Sequence, residues 1–212
     1  NGDKGIGKLI GSAVDQVGQG GAIKIQEALY NEPSLELTEG FRFDSGLLAN
    51  AFITDERRSA MRHEDCLILV TDKNITTIDE ILPVLEIAAR DGRALILIAE
   101  DISGQALAAM IMNAMKGAMK VAGIKAPRYG EERRNILSDL SISTGATFIS
   151  RESGIQFRSV KLEHFGTAST VESGKAFTTI VGGNQDDEAV EKRIEDLKSQ
   201  IGSEESLNIC EK

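Results

Sequence analysis

Tryptophan is absent from this sequence, and its 212 residues include only seven phenylalanines and two tyrosines. Cysteine is nearly absent too. Cys66 and Cys210 are the only two, too few for a disulfide framework or a thiolate metal site, which points to a reducing compartment. Cys66 opens the apolar run Cys66-Leu67-Ile68-Leu69-Val70 and reads as a small buried hydrophobe. The two histidines, His63 and His164, are not at metal-ligand spacing. A basic excess is missing: the net charge is −9. Counterion release, which drives binding to nucleic acid, therefore has no source, and the spread acidity reads as solubility. No apolar stretch approaches the roughly 20 residues of a membrane-spanning helix. Neither nucleic acid nor a membrane is an expected partner. There is no signal peptide and no initiator methionine, so the chain reads as an excised part of a longer protein.

What is present is a repeating beat from Cys66 onward. Cys66–Thr71 and Ala94–Ala99 are continuous apolar runs, and Lys120–Lys125 and Ala146–Ser150 are weaker strand candidates. Between them, helical spacing covers Thr77–Asp91, Gln105–Gly117 and Glu131–Ser143. Apolar strands alternating with helices predict an α/β domain: a mostly parallel sheet flanked by helices and joined by right-handed crossovers. Thr77-Ile78-Asp79-Glu80 has the capping-box pattern, Gly92 stands where a C-terminal glycine would, and Ser103 can cap the next helix. Pro83 cannot donate a mid-helix hydrogen bond and predicts a restart of the helix. The first stretch reads as a short α+β segment, with an amphipathic helix at Gly7–Val17, a strand at Ala22–Gln26 and an alternating strand at Leu35–Phe43. At the other end Asp187–Ile201 reads as a charged helix with Val190, Ile194, Leu197 and Ile201 on one face.

Some motifs imitate catalytic ones. Gly2-Asp3-Lys4-Gly5-Ile6-Gly7-Lys8 has the spacing of a phosphate-binding loop, but Leu9 follows where a hydroxyl should meet Mg²⁺, and no strand precedes it. Gly18-Gln19-Gly20-Gly21 precedes a strand rather than a helix, so it is no dinucleotide loop. Asp72 and the pair Glu100-Asp101 follow adjacent strands, where α/β folds bind ligands. An Mg²⁺-dependent α/β enzyme using Asp72 and Asp101 is the alternative reading. The same residues serve equally well as turn and cap chemistry, and no paired nucleophile and base completes a catalytic site.

The central helices carry too much apolar surface. At ~100° per residue, Leu107, Ile111, Ala114 and Met115 form one stripe of the Gln105–Gly117 helix. Ala106, Ala109 and Met110 widen it on one side, Ala108 and Met112 on the other, to an arc of roughly 240° where a surface helix needs little more than about 100°. In Thr77–Asp91, Ile81, Val84 and Ala88 make one stripe, and Ile78, Leu82, Leu85 and Ala89 make a second about 80° away. A helix on a sheet buries one stripe. With the two helices side by side, the surplus stripes would flank a shared apolar groove, and exposed apolar patches mark interaction sites. Four of the five methionines, Met110, Met112, Met115 and Met119, lie in or beside the second helix. Their flexibility suits a surface that must fit many shapes.

Several motifs, in order along nearly the whole chain, resemble the apical domain of group I, GroEL-type chaperonins. They are Thr38-Glu39-Gly40-Phe41-Arg42-Phe43-Asp44-Ser45-Gly46, Ile81-Leu82-Pro83-Val84-Leu85-Glu86, Ile98-Ala99-Glu100-Asp101, Gly104-Gln105-Ala106-Leu107-Ala108 and Val121-Ala122-Gly123-Ile124-Lys125-Ala126-Pro127. Gly7-Lys8-Leu9-Ile10 and Val17-Gly18 look like the family's intermediate domain. The resemblance implies that residues 1–38 are part of that hinge domain and 39–212 an apical polypeptide-binding domain. It implies a groove for unfolded polypeptide and for the mobile loop of a GroES-type co-chaperonin, lined by Leu82, Leu85, Leu107, Ile111 and Met112, with Ile78 and Asn113 at its margin. Beneath it an extended segment would contribute Leu47, Ala51 and Phe52. Leu47 and Ala51 stand where the family usually has tyrosine, Asn50 replaces a usual proline, and Arg128-Tyr129 replaces Gly-Phe, so the groove floor is less aromatic. ATP, Mg²⁺ and the homo-oligomeric ring would belong to the intact parent, an ATP-hydrolysing chaperonin of the cytoplasm, of a phage-infected cell or of an organelle matrix. This stretch alone would bind no cofactor, catalyse nothing and be monomeric.

Overall fold

The computed structural model describes residues 4–17, 35, 40–183 and 187–210. By contacts the chain divides into two units, Asn1–Glu39 and Gly40–Lys212. In the first unit the described element is helix α1 (Lys4–Val17). Gly5, Gly7 and Lys8 of the near-phosphate-loop spacing are therefore helical. The expected strand at Ala22–Gln26 and the glycines at 18–21 lie outside the described residues, as do residues 36–39 of the strand expected at Leu35–Phe43.

The second unit is an α/β domain built on the apolar runs. Its elements are β1 (Phe41–Phe43), β2 (Met61–Thr71), β3 (Asn74–Ile75), α2 (Ile78–Asp91), β4 (Ala94–Ala99), β5 (Asp101–Ile102), α3 (Gly104–Met115), β6 (Val121–Lys125), α4 (Gly130–Thr144), β7 (Phe148–Ile149), β8 (Gly166–Ser173), β9 (Thr178–Gly183) and α5 (Asp187–Cys210). The sheet runs β1-β9-β8-β2-β4-β6, with β7 also on β2. Strands β2, β4 and β6 are parallel, in the register Cys66↔Ala94 and Leu95↔Val121. Strands β8, β9 and β1 add on antiparallel. Every residue of β4 is buried, as a strand covered on both faces requires. Helices α2 and α3 pack on each other, and α4 runs over β2, β8 and β9. Cys66 is fully buried, and burial pushes its thiol up to about 12, so it is an inert part of the core.

One short segment stitches the two edges of this sheet. Phe41–Phe43 pairs with β9. A few residues later Leu47 bridges Ile124 of β6, the Leu48 N–H donates to Gly123 O at 3.0 Å, and the Lys125 N–H donates to Gly46 O at 3.0 Å. Between these contacts the Leu47 N–H donates to Gly174 O, also at 3.0 Å. The segment thus supplies the edge strand on one side of the sheet and covers part of the opposite edge strand, β6.

Two local expectations change, at Pro83 and at Ser103, while the capping box at Thr77 and the terminal Gly92 stand as expected. Pro83 does not restart the helix, because α2 runs unbroken from Ile78 to Asp91 with Pro83 inside it. The proline falls in the second turn, so the missing N–H costs one bond near the helix start, and packing of Ile81, Val84 and Ala88 in the core holds the helix through it. Ser103 occupies the N-cap of α3 without a side-chain capping bond. Its backbone N–H instead donates to Ile75 O at 2.9 Å. The Thr77 cap of α2 works through Glu80, whose carboxylate accepts from the Thr77 N–H and the Thr76 N–H, each at 3.2 Å. These bonds hold the Glu80 carboxyl below its ordinary range. Gly92 ends the helix in the left-handed conformation, φ 85°, as a C-terminal glycine should.

Candidate functional site

The starts of α2 and α3 are locked together. Strand β3 pairs in parallel with β5, Asn74 against Asp101 and Ile75 against Ile102. The Ala106 N–H then donates to Thr76 O at 3.1 Å. From this joint the helices run side by side. On one flank of α2, Ile87, Arg90 and Asp91 line a hollow of about 530 Å³ with Val160, Lys161 and Leu162. Leu82 and Ile78 lie about 140° and 180° round the helix from Ile87, at ~100° per residue, on the opposite flank.

The anticipated residues divide by depth. Ile78 (43% exposed), Leu82 (46%) and Met112 (54%) are open apolar side chains. Leu107 and Ile111 are half-buried against the core, as is Leu47. Ala51 is half-buried in the 3-10 turn Asn50–Phe52, which packs against α3 and β6. Asn113 is half-buried, and its amide donates to the Ala109 carbonyl of its own helix at 2.8 Å. It stands about 160° round α3 from Ile111 at ~100° per residue, so the two do not line the same flank. Two anticipated groove residues are not on the surface at all. Phe52 is 2% exposed and Leu85 5% exposed. Leu85 is only about 40° round from Ile81 at ~100° per residue, close enough to the buried stripe to be drawn into the core. The most open apolar side chain on α3 is Met115, 75% exposed, which the chaperonin resemblance does not assign although it lies in the wheel's stripe.

The face between α2 and α3 thus presents aliphatic and thioether groups, with no nucleophile or acid-base pair among them. What such a surface can do is bind apolar groups, at roughly 25 cal/mol per Å² buried.

The acidic alternative loses its donor set. Asp72 is 9% exposed; its Oδ1 accepts from the Arg151 N–H at 3.1 Å, and its Oδ2 faces Arg134 Nε at 3.6 Å. Glu100 is paired with Arg133 at 2.5 Å and with Arg151 at 3.7 Å. Asp101 belongs to β5, beside Asn74. Among the described residues no three acidic, histidine or cysteine groups converge on a point that could hold a metal ion. Guanidinium groups already face two of the carboxylates a cation would need, Asp72 and Glu100. Millimolar Mg²⁺ should therefore leave the thermal midpoint of the chain unchanged; a rise that saturates with Mg²⁺ and disappears in Asp72→Asn would restore the enzymatic reading.

No family model matches the chain. Two curated relatives do. The chaperonin GroEL of Methanoregula boonei is 40% identical over 206 residues, 97% of this chain and 38% of that protein. The chaperonin GroEL of Carsonella ruddii is 40% identical over 212 residues, 100% of this chain and 40% of that protein. With similarity of this strength along its entire length, the chain belongs to the GroEL-type chaperonin family, spanning 38 to 40% of the length of these two members.

Proposed function

We propose that this chain is the polypeptide-holding part of a protein-folding chaperonin, with residues 1–38 belonging to a hinge domain and 39–212 forming the apical domain. Its site is the face between α2 and α3, which takes up unfolded or partly folded polypeptide and the mobile loop of a GroES-type co-chaperonin. ATP and Mg²⁺ act elsewhere in the intact protein, which assembles as a homo-oligomeric ring. The observation that carries this reading is the exposure of Ile78, Leu82, Met112 and Met115 on two helices whose opposite sides form the core. Large apolar side chains clustered in water favour an apolar occupant. The thioethers favour one of no fixed shape. No helix among the described residues is long and apolar enough to cross a membrane.

The test is capture of a chain that stays unfolded. Reduced, carboxymethylated α-lactalbumin should bind and be displaced by a short apolar peptide, while native α-lactalbumin should not bind. Equal binding of the two forms, or of neither, would sink the proposal.

A further inference from the structure

Three consecutive residues at the end of β2 hold the loop that leads from β7 to β8. Thr71 Oγ1 donates to Ile149 O at 2.7 Å, Asp72 Oδ1 accepts from the Arg151 N–H at 3.1 Å, and Lys73 Nζ donates to Ile155 O at 2.8 Å. The Lys73 ammonium also lies 5.8 Å from the centroid of the Phe157 ring, within cation–π range. Phe157 is buried, 4% exposed. It begins the 3-10 turn Phe157–Ser159, which packs against α2, and Arg158 in that turn reaches Asp79 in the first turn of α2 at 3.8 Å.

Helix α2 is therefore held from two sides. The β3-β5 ladder fixes its start to that of α3, and the 157–162 stretch lies along its other flank, beside Ile87 and Arg90. Thr71 and Asp72 secure only the beginning of the loop, at Ile149 and Arg151. Lys73 reaches the part that touches α2. Its bond joins a half-buried ammonium to a carbonyl, a charge-assisted bond stronger than a neutral one.

We propose that Lys73 is a positioning residue for the apolar face: it seats the Phe157 turn against the outer flank of α2 and so fixes how far Ile78 and Leu82 stand from Leu107 and Ile111. This rests on reading that face as a polypeptide-binding groove. Small displacements of a site's walls, made through residues that never touch the ligand, alter affinity measurably.

Lys73→Met keeps the stem's bulk and removes the donor and the charge; Lys73→Arg keeps both. With carboxymethylated α-lactalbumin as probe, Lys73→Met should bind roughly five- to tenfold more weakly than the parent chain, the scale of such indirect couplings. Trypsin should also cut it faster at Arg158 and Lys161. Lys73→Arg should restore both readouts. Should Lys73→Met fail to fold, Lys73→Gln, shorter and uncharged, is read in the same way. Faster cleavage with unchanged affinity, or weaker binding with unchanged cleavage, would overturn the role of Lys73 and leave the groove reading intact. Failure of the parent chain itself to bind the probe would overturn the groove reading, and this proposal with it.

Discussion

Leu82→Glu should leave the urea midpoint of this chain almost where it is and abolish its capture of unfolded protein, whereas Leu85→Glu should unfold it. The two leucines are three residues apart on the same helix, and the wheel places both on one apolar stripe. Their surroundings differ: Leu82 is 46% exposed and Leu85 5% exposed. A glutamate at position 82 keeps its charge in water, and surface changes of this kind usually cost within about 0.5 kcal/mol. At position 85 the carboxylate would be buried beside Ile81, Val84 and Ala88, which are at most 1% exposed. Losing a buried leucine costs about 2–5 kcal/mol, and an unpaired buried charge adds to it or forces protonation. Val84→Glu should behave like Leu85→Glu, since Val84 is fully buried. Met112→Glu, on a side chain 54% exposed, should behave like Leu82→Glu. The measurements are urea unfolding and binding of carboxymethylated α-lactalbumin on all four variants. If Leu82→Glu and Met112→Glu bind the probe as the parent does, the apolar face is not where polypeptide is held.

The contrast between Leu82 and Leu85 marks how far periodicity reaches. A helical wheel gives an angle, and from it the second stripe on α2 was legible. It does not give the height of the neighbouring surface, and Leu85, about 40° round from Ile81 at the edge of the buried stripe at ~100° per residue, falls below that surface. The same limit applies to Phe52 and to Asn113, placed by resemblance and not by pattern. Strand β4 and the second half of β2, from Cys66, were legible because burial on both faces makes them continuously apolar, whereas the first half of β2, with the polar run Arg62-His63-Glu64-Asp65, gave no strand signal. Strands β8 and β9 gave no such signal. Gly166–Ser173 reads Gly-Thr-Ala-Ser-Thr-Val-Glu-Ser, with buried positions filled by Gly166, Ala168, Val171 and Ser173, and small or hydroxylated residues do not announce a core strand. The role of Lys73 was not legible either, because its partners Ile155 and Phe157 lie more than 80 residues away in sequence. The carboxylates after β2 and β4 looked like a possible cation site only while their arginine partners, at positions 133, 134 and 151, were unplaced.

Gly46→Ala should destabilise the domain by several kcal/mol and weaken capture together, while Gly174→Ala, on the residue it faces, should be nearly neutral. Gly46 is the point where the 41–48 segment leaves one sheet edge for the other. Its backbone has no positive φ that would demand glycine; what it lacks is room. A Cβ there would lie 2.6 Å from the Lys175 carbonyl carbon and closer still to the Gly174 carbonyl oxygen. Both obstacles are backbone, so no side chain can rotate away. Relief requires moving the segment, which strains the bonds from Leu47 to Gly174, from Leu48 to Gly123 and from Lys125 to Gly46. Overpacking typically costs about 1–3 kcal/mol, and each weakened hydrogen bond adds about 0.5–1.5 kcal/mol. Leu47, Leu48 and the turn at Asn50–Phe52 would shift with the segment, and these lie under α3 beside β6. Gly174 is the matched control. The nearest atom to a Cβ built on it is Phe177 O at 4.0 Å, an ordinary contact, and its φ is not positive. Alanine there should change stability by no more than about 1 kcal/mol, and toward greater stability by restricting the unfolded chain. Thermal unfolding of the two variants beside the parent decides the matter. Equal midpoints for Gly46→Ala and the parent would mean that the 41–48 segment is held loosely and does not fix the floor beneath α3.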